Sequence, residues 1–366
     1  MNVGLLTIHD SVNPGASLQA CGLYQAVKDL GHEVSVINYC PNYFPSHTNV
    51  IKPLLAQGPK GIAKAALLGK RLKAKAALFQ EFADSTYSVG TRRYANYASL
   101  ESAPPMFDAV ICGSDQIWNP PHVCYDDAWF FSFYGSNRPR LISYAASIGK
   151  DRLDEKDLSW LVRGASTFDF VGVREDTGVD LLLGNGVDAV QCVDPTFLCS
   201  RDMWESLERR PSGDVPEKFI FYYPLQENPL EAELVRAVSD DFGLRVVSVW
   251  SALRKLPSMD IQIPVFGPRE FLWLMNHSEA VVTNSFHGLA FGVIFEKNLV
   301  SFKNLTRNSR LASLLKILGV ENYQISSMEE YRNTNWDERF RALHASKQRI
   351  AKEVSVSEDF LRRALL

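Results

Sequence analysis

Short β-branched runs alternate with helix-period stretches along most of the chain, and they do so in two separate series. The first holds VGLLTI (3–8), VSVINY (34–39), DAVIC (108–112), LISYAA (141–146), FVGV (170–173) and AVQCV (189–193). A helix over 17–30, with Ser17 as N-cap and Leu23, Ala26, Val27 and Leu30 on one face, separates the first two runs, and Gly31 stops it. A charged helical stretch lies near 154–165. The second series begins after the Pro211 to Pro216 segment, whose Gly, Pro and charge read as a linker. It runs FIFYYPL, helix 229–242, RVVSVW, helix 268–278, AVVTN, helix 287–296 and LVSF. Strands that alternate with helices predict parallel sheets covered on both faces, so the expected fold is α/β with two Rossmann-like domains.

Length agrees, because 366 residues exceed what one hydrophobic core usually holds. The expected division is 1–200, 201–327 and a charged helical segment 328–366 that crosses back to brace the first domain. Hydrophobic content of 46% and charged content of 22% are globular values. A net charge of −3 gives no reason to expect nucleic acid as a partner. The six cysteines form no CxxC pair, which argues against zinc and a disulfide framework, and Cys112 and Cys192 read as core residues. No metal is demanded by the residues present. The N-terminus enters a strand directly, so no signal peptide is expected, and no apolar run reaches the ~18 residues of a membrane span. A cytoplasmic protein is expected, with any membrane contact at the inner face. The stretch 60–82 would make it: Lys60, Lys64, Lys70, Arg71, Lys73 and Lys75 sit opposite Leu68, Leu72, Ala76 and Phe79 at helical spacing. The same pattern also describes a solvated face on a helix that covers a core.

In open α/β sheets ligands bind beyond the carboxyl ends of strands, so the loops after strands are where chemistry is sought. HDSVNPGASLQ (9–19) follows the first strand, and its Asn13, Pro14 and Gly15 bring backbone close to whatever lies above the sheet, without the GxGxxG of a dinucleotide site. CGSDQIWNP (112–120) offers Ser114 and Asp115, SYAASIG (143–149) offers Ser147, and VGVREDTG (171–178) places Arg174 directly after a strand. An arginine there can present a bidentate fork to a carboxylate or phosphate, or simply hold an ion pair. In AVVTNSFHGLAFGVIF (280–295) a polar turn, Asn284 and Ser285, precedes His287 at a helix start, with Gly288 after it. The first N–H groups of that helix and its dipole make an anion site, while the imidazole is either a catalyst or a satisfied core histidine. Asp115 reads equally as a base or a turn former, and Asn284 and Ser285 as positioning groups or caps.

Together, GSDQIWNP (113–120), SYAASIG (143–149), VGVRE (171–175), DPTFL (194–198) and TNSFHGLAFGVIF (283–295) resemble the signatures of the polysaccharide pyruvyl transferase family. The opening NPGASLQACGLYQAVKDLGHEV is similar too, and the resemblance spans about residues 1–320 in the family's order. It implies a GT-B-like fold with two domains facing a cleft, the first on the acceptor side and the second on the donor side. It implies phosphoenolpyruvate as donor substrate, with no separate cofactor, and a sugar, oligosaccharide or lipid-linked saccharide as acceptor. Arg174 and His287 then face each other across the cleft, and a third cation comes from Lys303, Arg307 or Arg310, with Lys303 preferred because it follows the LVSF strand directly. A nucleotide-sugar glycosyltransferase would share the architecture, although Asp126 and Asp127 lack DxD spacing. A non-catalytic carbohydrate-binding or scaffold protein is the other rival class.

Overall fold

The computed structural model describes the chain apart from residues 45, 48, 49, 56, 151, 250–259 and 305–307, and apart from the side chains of 52 and 53. Arg307, and the Trp250 expected to end a strand, therefore lie outside the described residues. The chain divides into two compact units. Unit 1 gathers Met1–Thr48, Gln80–Cys199 and Ala351–Leu366; unit 2 gathers Asn49–Phe79 and Ser200–Ile350.

Unit 1 is built on six parallel strands: β1 (Asn2–Leu6), β2 (Glu33–Val36), β3 (Ala109–Asp115), β4 (Arg140–Ala146), β5 (Phe170–Val173) and β6 (Val190–Gln191). Their order is β2-β1-β3-β4-β5-β6. The central strands β3 and β4 are buried almost end to end, as expected where helices cover both faces of a parallel sheet. The first helix starts earlier than the sequence suggests, at Pro14 rather than Ser17, and its N-cap is Asn13, whose side chain accepts from the Gly15 amide. Proline at the first helical position gives up an N–H that would have no partner there, so an Asn-Pro pair marks the start better than the buried Ser17. Strand β4 carries a register irregularity between Ser143 and Ala146, where Ala145 has φ 47°. The core clusters around fully buried Trp118 and Trp129.

The last residues of the chain complete this unit. Phe360 packs against Tyr144 and Phe170 at 6.4 Å between ring centroids, and Ser357 Oγ accepts from the Val193 amide at 3.0 Å. Gly172 makes room: a Cβ there would meet the Ser143 carbonyl oxygen at 2.9 Å and the Phe360 ring at 3.0 Å.

Unit 2 has five parallel strands, β7 (Ile220–Tyr223), β8 (Val246–Val249), β9 (Ile261–Ile263), β10 (Ala280–Thr283) and β11 (Asn298–Ser301), in the order β11-β10-β7-β8-β9. Helices Glu231–Phe242, Pro268–His277 and Phe286–Ile294 fall within two residues of the stretches expected for them. Strand β9 and helix Ser309–Leu318 were not anticipated. β9 has three residues, too few to show a period. The basic helix is real and longer than its motif, Pro59–Thr86. Its buried residues Ala65, Ala76, Phe79, Phe82 and Ala83 recur at helical spacing, while Leu67 is 81% exposed.

Candidate functional site

Each sheet has one place where the strand order reverses direction, and there the connections leave in opposite directions and open a crevice. In unit 1 it lies between β1 and β3, and in unit 2 between β7 and β10. The candidate residues gather around these two points, each within its own unit.

In unit 1, Gln19 of the first helix ties the two strand ends together. Its amide nitrogen donates to Thr7 Oγ1 at 2.8 Å and to the Ala16 carbonyl at 2.9 Å, and its oxygen accepts from the Ser114 amide at 3.2 Å. Ser114 Oγ donates to the Ala145 carbonyl at 3.2 Å and accepts from Arg174. Arg174 is 3% exposed and pairs with Asp194 at 2.8 Å, while Asp194 Oδ1 accepts from the amide and hydroxyl of Thr196. Ser147 Oγ donates to Glu175 at 2.5 Å, and the other Glu175 oxygen accepts from the Ile148 amide. The structure thus brings Ser114 and Arg174 into one buried network with Gln19 and Asp194, and sets Ser147 in a separate buried pair with Glu175; sequence reasoning gave Gln19, Glu175 and Asp194 no role. The DPTFL motif contained Asp194, but its partner depends on the parallel pairing of β5 with β6. Asp115 adopts φ 70° and accepts from the Gln116 amide at 2.8 Å, a turn-forming contact. Asn13 is exposed and caps its helix through Gly15.

In unit 2, Asn284 brackets the loop after β7. Its oxygen accepts from the Leu225 amide at 2.6 Å, its nitrogen donates to the Gln226 carbonyl at 2.9 Å, and its own carbonyl accepts from Asn304 at 3.0 Å. Thr283 Oγ1 donates to the Tyr223 carbonyl at 2.5 Å and accepts from the Ser285 amide. Ser285 is the N-cap of helix Phe286–Ile294, its hydroxyl accepting from the Gly288 amide at 3.4 Å. His287 is therefore the second residue of a helix whose start is fixed from both sides, and it is 7% exposed. Gly288 is required for packing, since a Cβ there would lie 2.3 Å from Thr283 Oγ1. Of the cations beyond β11, Arg310 stacks over the Phe286 ring at 5.9 Å, next in sequence to His287, whereas Lys303 is exposed.

A third group escaped the sequence reading. His9 and Asp10, directly after β1, meet His47, with His47 Nδ1 2.9 Å from Asp10 Oδ1. Asp10 also accepts from Ser46 Oγ at 2.6 Å and the His47 amide at 2.9 Å. Burial opposes both charges of the pair. The hydrogen bonds from His47 and Ser46 nevertheless hold the Asp10 carboxyl well below the usual carboxylate range, and Asp10 and Gln80 hold His47 above the usual imidazole value. Burial pushes His9 the other way, below that value. The available signal was a His-Asp pair directly at a strand end.

Two parallel sheets with interleaved helices, each with polar groups collected at its switch point, define an α/β protein of the GT-B-like fold class. Solved structures agree. A putative UDP-N-acetylglucosamine 2-epimerase from Listeria monocytogenes superposes with TM-score 0.53 at 12% identity, covering 99% of this chain and 91% of the other. Arabidopsis thaliana UGT89C1, complexed with UDP-L-rhamnose, gives TM-score 0.53 at 9% identity over 100% and 99%. S. aureus MnaA, solved with UDP, gives 0.51 at 13% over 94% and 90%. No curated protein matches the chain significantly. The family model "Polysaccharide pyruvyl transferase" matches residues 13–305, and the chain belongs to that family.

Proposed function

We propose that the protein moves a pyruvyl group from phosphoenolpyruvate to two hydroxyls of a sugar in a polysaccharide or its lipid-linked precursor, forming a ketal. The observation that carries this reading is His287, a buried imidazole at a fixed helix start beside the switch point of unit 2. Family membership supplies the reaction class. Protonation of the donor's methylene carbon makes a methyl group and leaves the central carbon open to a sugar hydroxyl; phosphate departs, and a second hydroxyl closes the ketal. Of the two hydroxyl protons released, one balances the new methyl group and the other leaves with phosphate. His287 is assigned as the proton donor, because imidazole is the side chain most often used for general acid–base transfer. The N–H groups of its helix and Arg310 are assigned to the donor's anionic groups. Arg174, already paired with Asp194, is assigned to donor binding in unit 1. The contact with a membrane-borne acceptor is assigned to the exposed basic face of helix Pro59–Thr86.

The test is phosphate release from phosphoenolpyruvate in the presence of oligosaccharide acceptors. His287→Ala lowers turnover about 100-fold or more, the usual contribution of a general acid, with melting temperature little changed. His287→Gln separates roles: near-normal rates in that variant would make His287 a ligand and not an acid. Nucleotide-sugar transfer, the rival, rests on fold likeness alone. A ligand at ~100 times its Kd adds about 2.7 kcal/mol of stability, so thermal shifts with phosphoenolpyruvate and with UDP- or GDP-sugars decide between them.

A further inference from the structure

Around the His9–Asp10–His47 group, unit 1 holds a pocket of about 320 Å³, at the small end of ligand cavities. Its floor is buried: His9 is 5% exposed, Asp10 8%, His47 8% and Cys40 9%. Its rim is exposed and includes Gln80, Thr91 and Arg93.

Three features fix what could fill it. First, charge is balanced inside. The cations His47 and Arg93, 2.9 Å and 3.4 Å from Asp10, are met by two carboxylates in the lining, Asp10 and Asp84, and His47 Nε2 donates to Gln80 at 2.7 Å, so no surplus cation awaits a phosphate or carboxylate. Second, His9 presents an acceptor. Its Nδ1 lies 3.1 Å from the Thr7 carbonyl, which can only accept, so Nδ1 carries the hydrogen and Nε2 a lone pair. Beside Nε2 stand Asn38 and the Cys40 thiol, the thiol 3.8 Å away and pointing its own hydrogen to Asn38 Oδ1 at 3.2 Å. A ligand hydroxyl is a better donor to that lone pair than a thiol already engaged. Third, His9, Asp10 and Cys40 also wall an adjoining crevice of about 10 Å³ with Phe44 and the buried rings of Tyr39 and Trp129, room for a single hydroxyl-sized group beside apolar walls.

We propose that this pocket binds a neutral, hydroxylated ring, the sugar of the acceptor, with a ring hydroxyl donating to His9 Nε2 and others meeting Asn38 and Arg93. The assignment as acceptor rests on the pyruvyl-transfer reading; the ligand class rests on the pocket.

The experiment uses the full chain and a panel of methyl glycosides of glucose, galactose and N-acetylmannosamine, followed by saturation-transfer NMR and titration calorimetry. Thr91→Trp fills the mouth from an exposed position, and His9→Asn keeps a donor toward the Thr7 carbonyl while removing Nε2. Expected is binding of at least one glycoside to the wild type, weakened about tenfold or more in both variants, with the phosphoenolpyruvate-induced thermal shift retained. Equal glycoside affinity in wild type and Thr91→Trp overturns the proposal, as does failure of every glycoside to bind the wild type. Loss of the phosphoenolpyruvate response in Thr91→Trp also overturns it, because the pocket would then hold the anion. Glycoside binding that both variants weaken, on a protein that never releases phosphate from phosphoenolpyruvate, keeps the pocket and removes the pyruvyl reading.

Discussion

Arg174 shows how a residue can be visible in the sequence while its situation is not. Its place after a strand follows from the FVGV run, but the Asp194 that neutralises it is twenty residues on, and only the β5–β6 pairing brings the two together. Removing one partner of such a pair is costly: Arg174→Met leaves the Asp194 carboxylate, which has no solvent exposure, without its cation and should cost about 3–5 kcal/mol. The double variant Arg174→Met/Asp194→Leu should lose less than the two single losses added together. Urea denaturation of the four proteins measures this, and strict additivity would refute the coupling. The His9–Asp10–His47 group makes a pH prediction. His47 is raised above 6.5, so its contribution is complete below that pH and fades as pH rises through the folded value. Asp10 is lowered from 3.8, so its contribution is complete above that pH and is lost in acid. Neutral, buried His9 adds a further loss as pH falls below 6.5. Stability therefore has an alkaline decline that His47→Gln removes, readable as melting temperature against pH. A wild-type decline unchanged in that variant would assign it to another group.

Helices and strands were largely legible because period survives in single sequences, whereas ends depend on local chemistry. The Asn13-Pro14 start was mistaken for Ser17 because the apolar spacing becomes regular only further into the helix, while every residue from Pro14 to Tyr24 is buried. Helix Pro59–Thr86 is the converse case, an element found from sequence whose outward face the structure now details. Its buried stripe accounts for the inner face, but Ile62 at 56% and Leu67 at 81% exposure stand among Lys60, Lys70, Arg71 and Lys73. Each basic residue near an anionic surface contributes about 1 kcal/mol. The protein should co-sediment with phosphatidylglycerol vesicles and not with phosphatidylcholine alone, with binding lost in high salt. Leu67→Glu should weaken it, and unchanged binding in that variant would move the contact off this helix. Among the described residues no helix is long and apolar enough to cross a membrane.

At the scale of the whole molecule, two sheets were readable as two series of alternation and the C-terminal helical segment as a brace on the first domain, but the partners that this brace meets were not, because contacts across more than a hundred residues leave no period. Ala351–Leu366 shows this. Phe360, Leu361, Ala364 and Leu365 are each at most 3% exposed, and burying one large side chain contributes about 1.5–3 kcal/mol. Removing these residues should lower the unfolding transition of unit 1 while that of unit 2 holds, as seen by calorimetry on the truncated chain. An equal fall in both transitions would show that the segment does not belong to unit 1 alone. The same feature sets the order of biosynthesis. Strands β1 to β6 leave the ribosome before any of unit 2's strands, yet the side chains that seal their sheet are made after all of those strands, so the sheet translated first can finish folding only when the second is already synthesised.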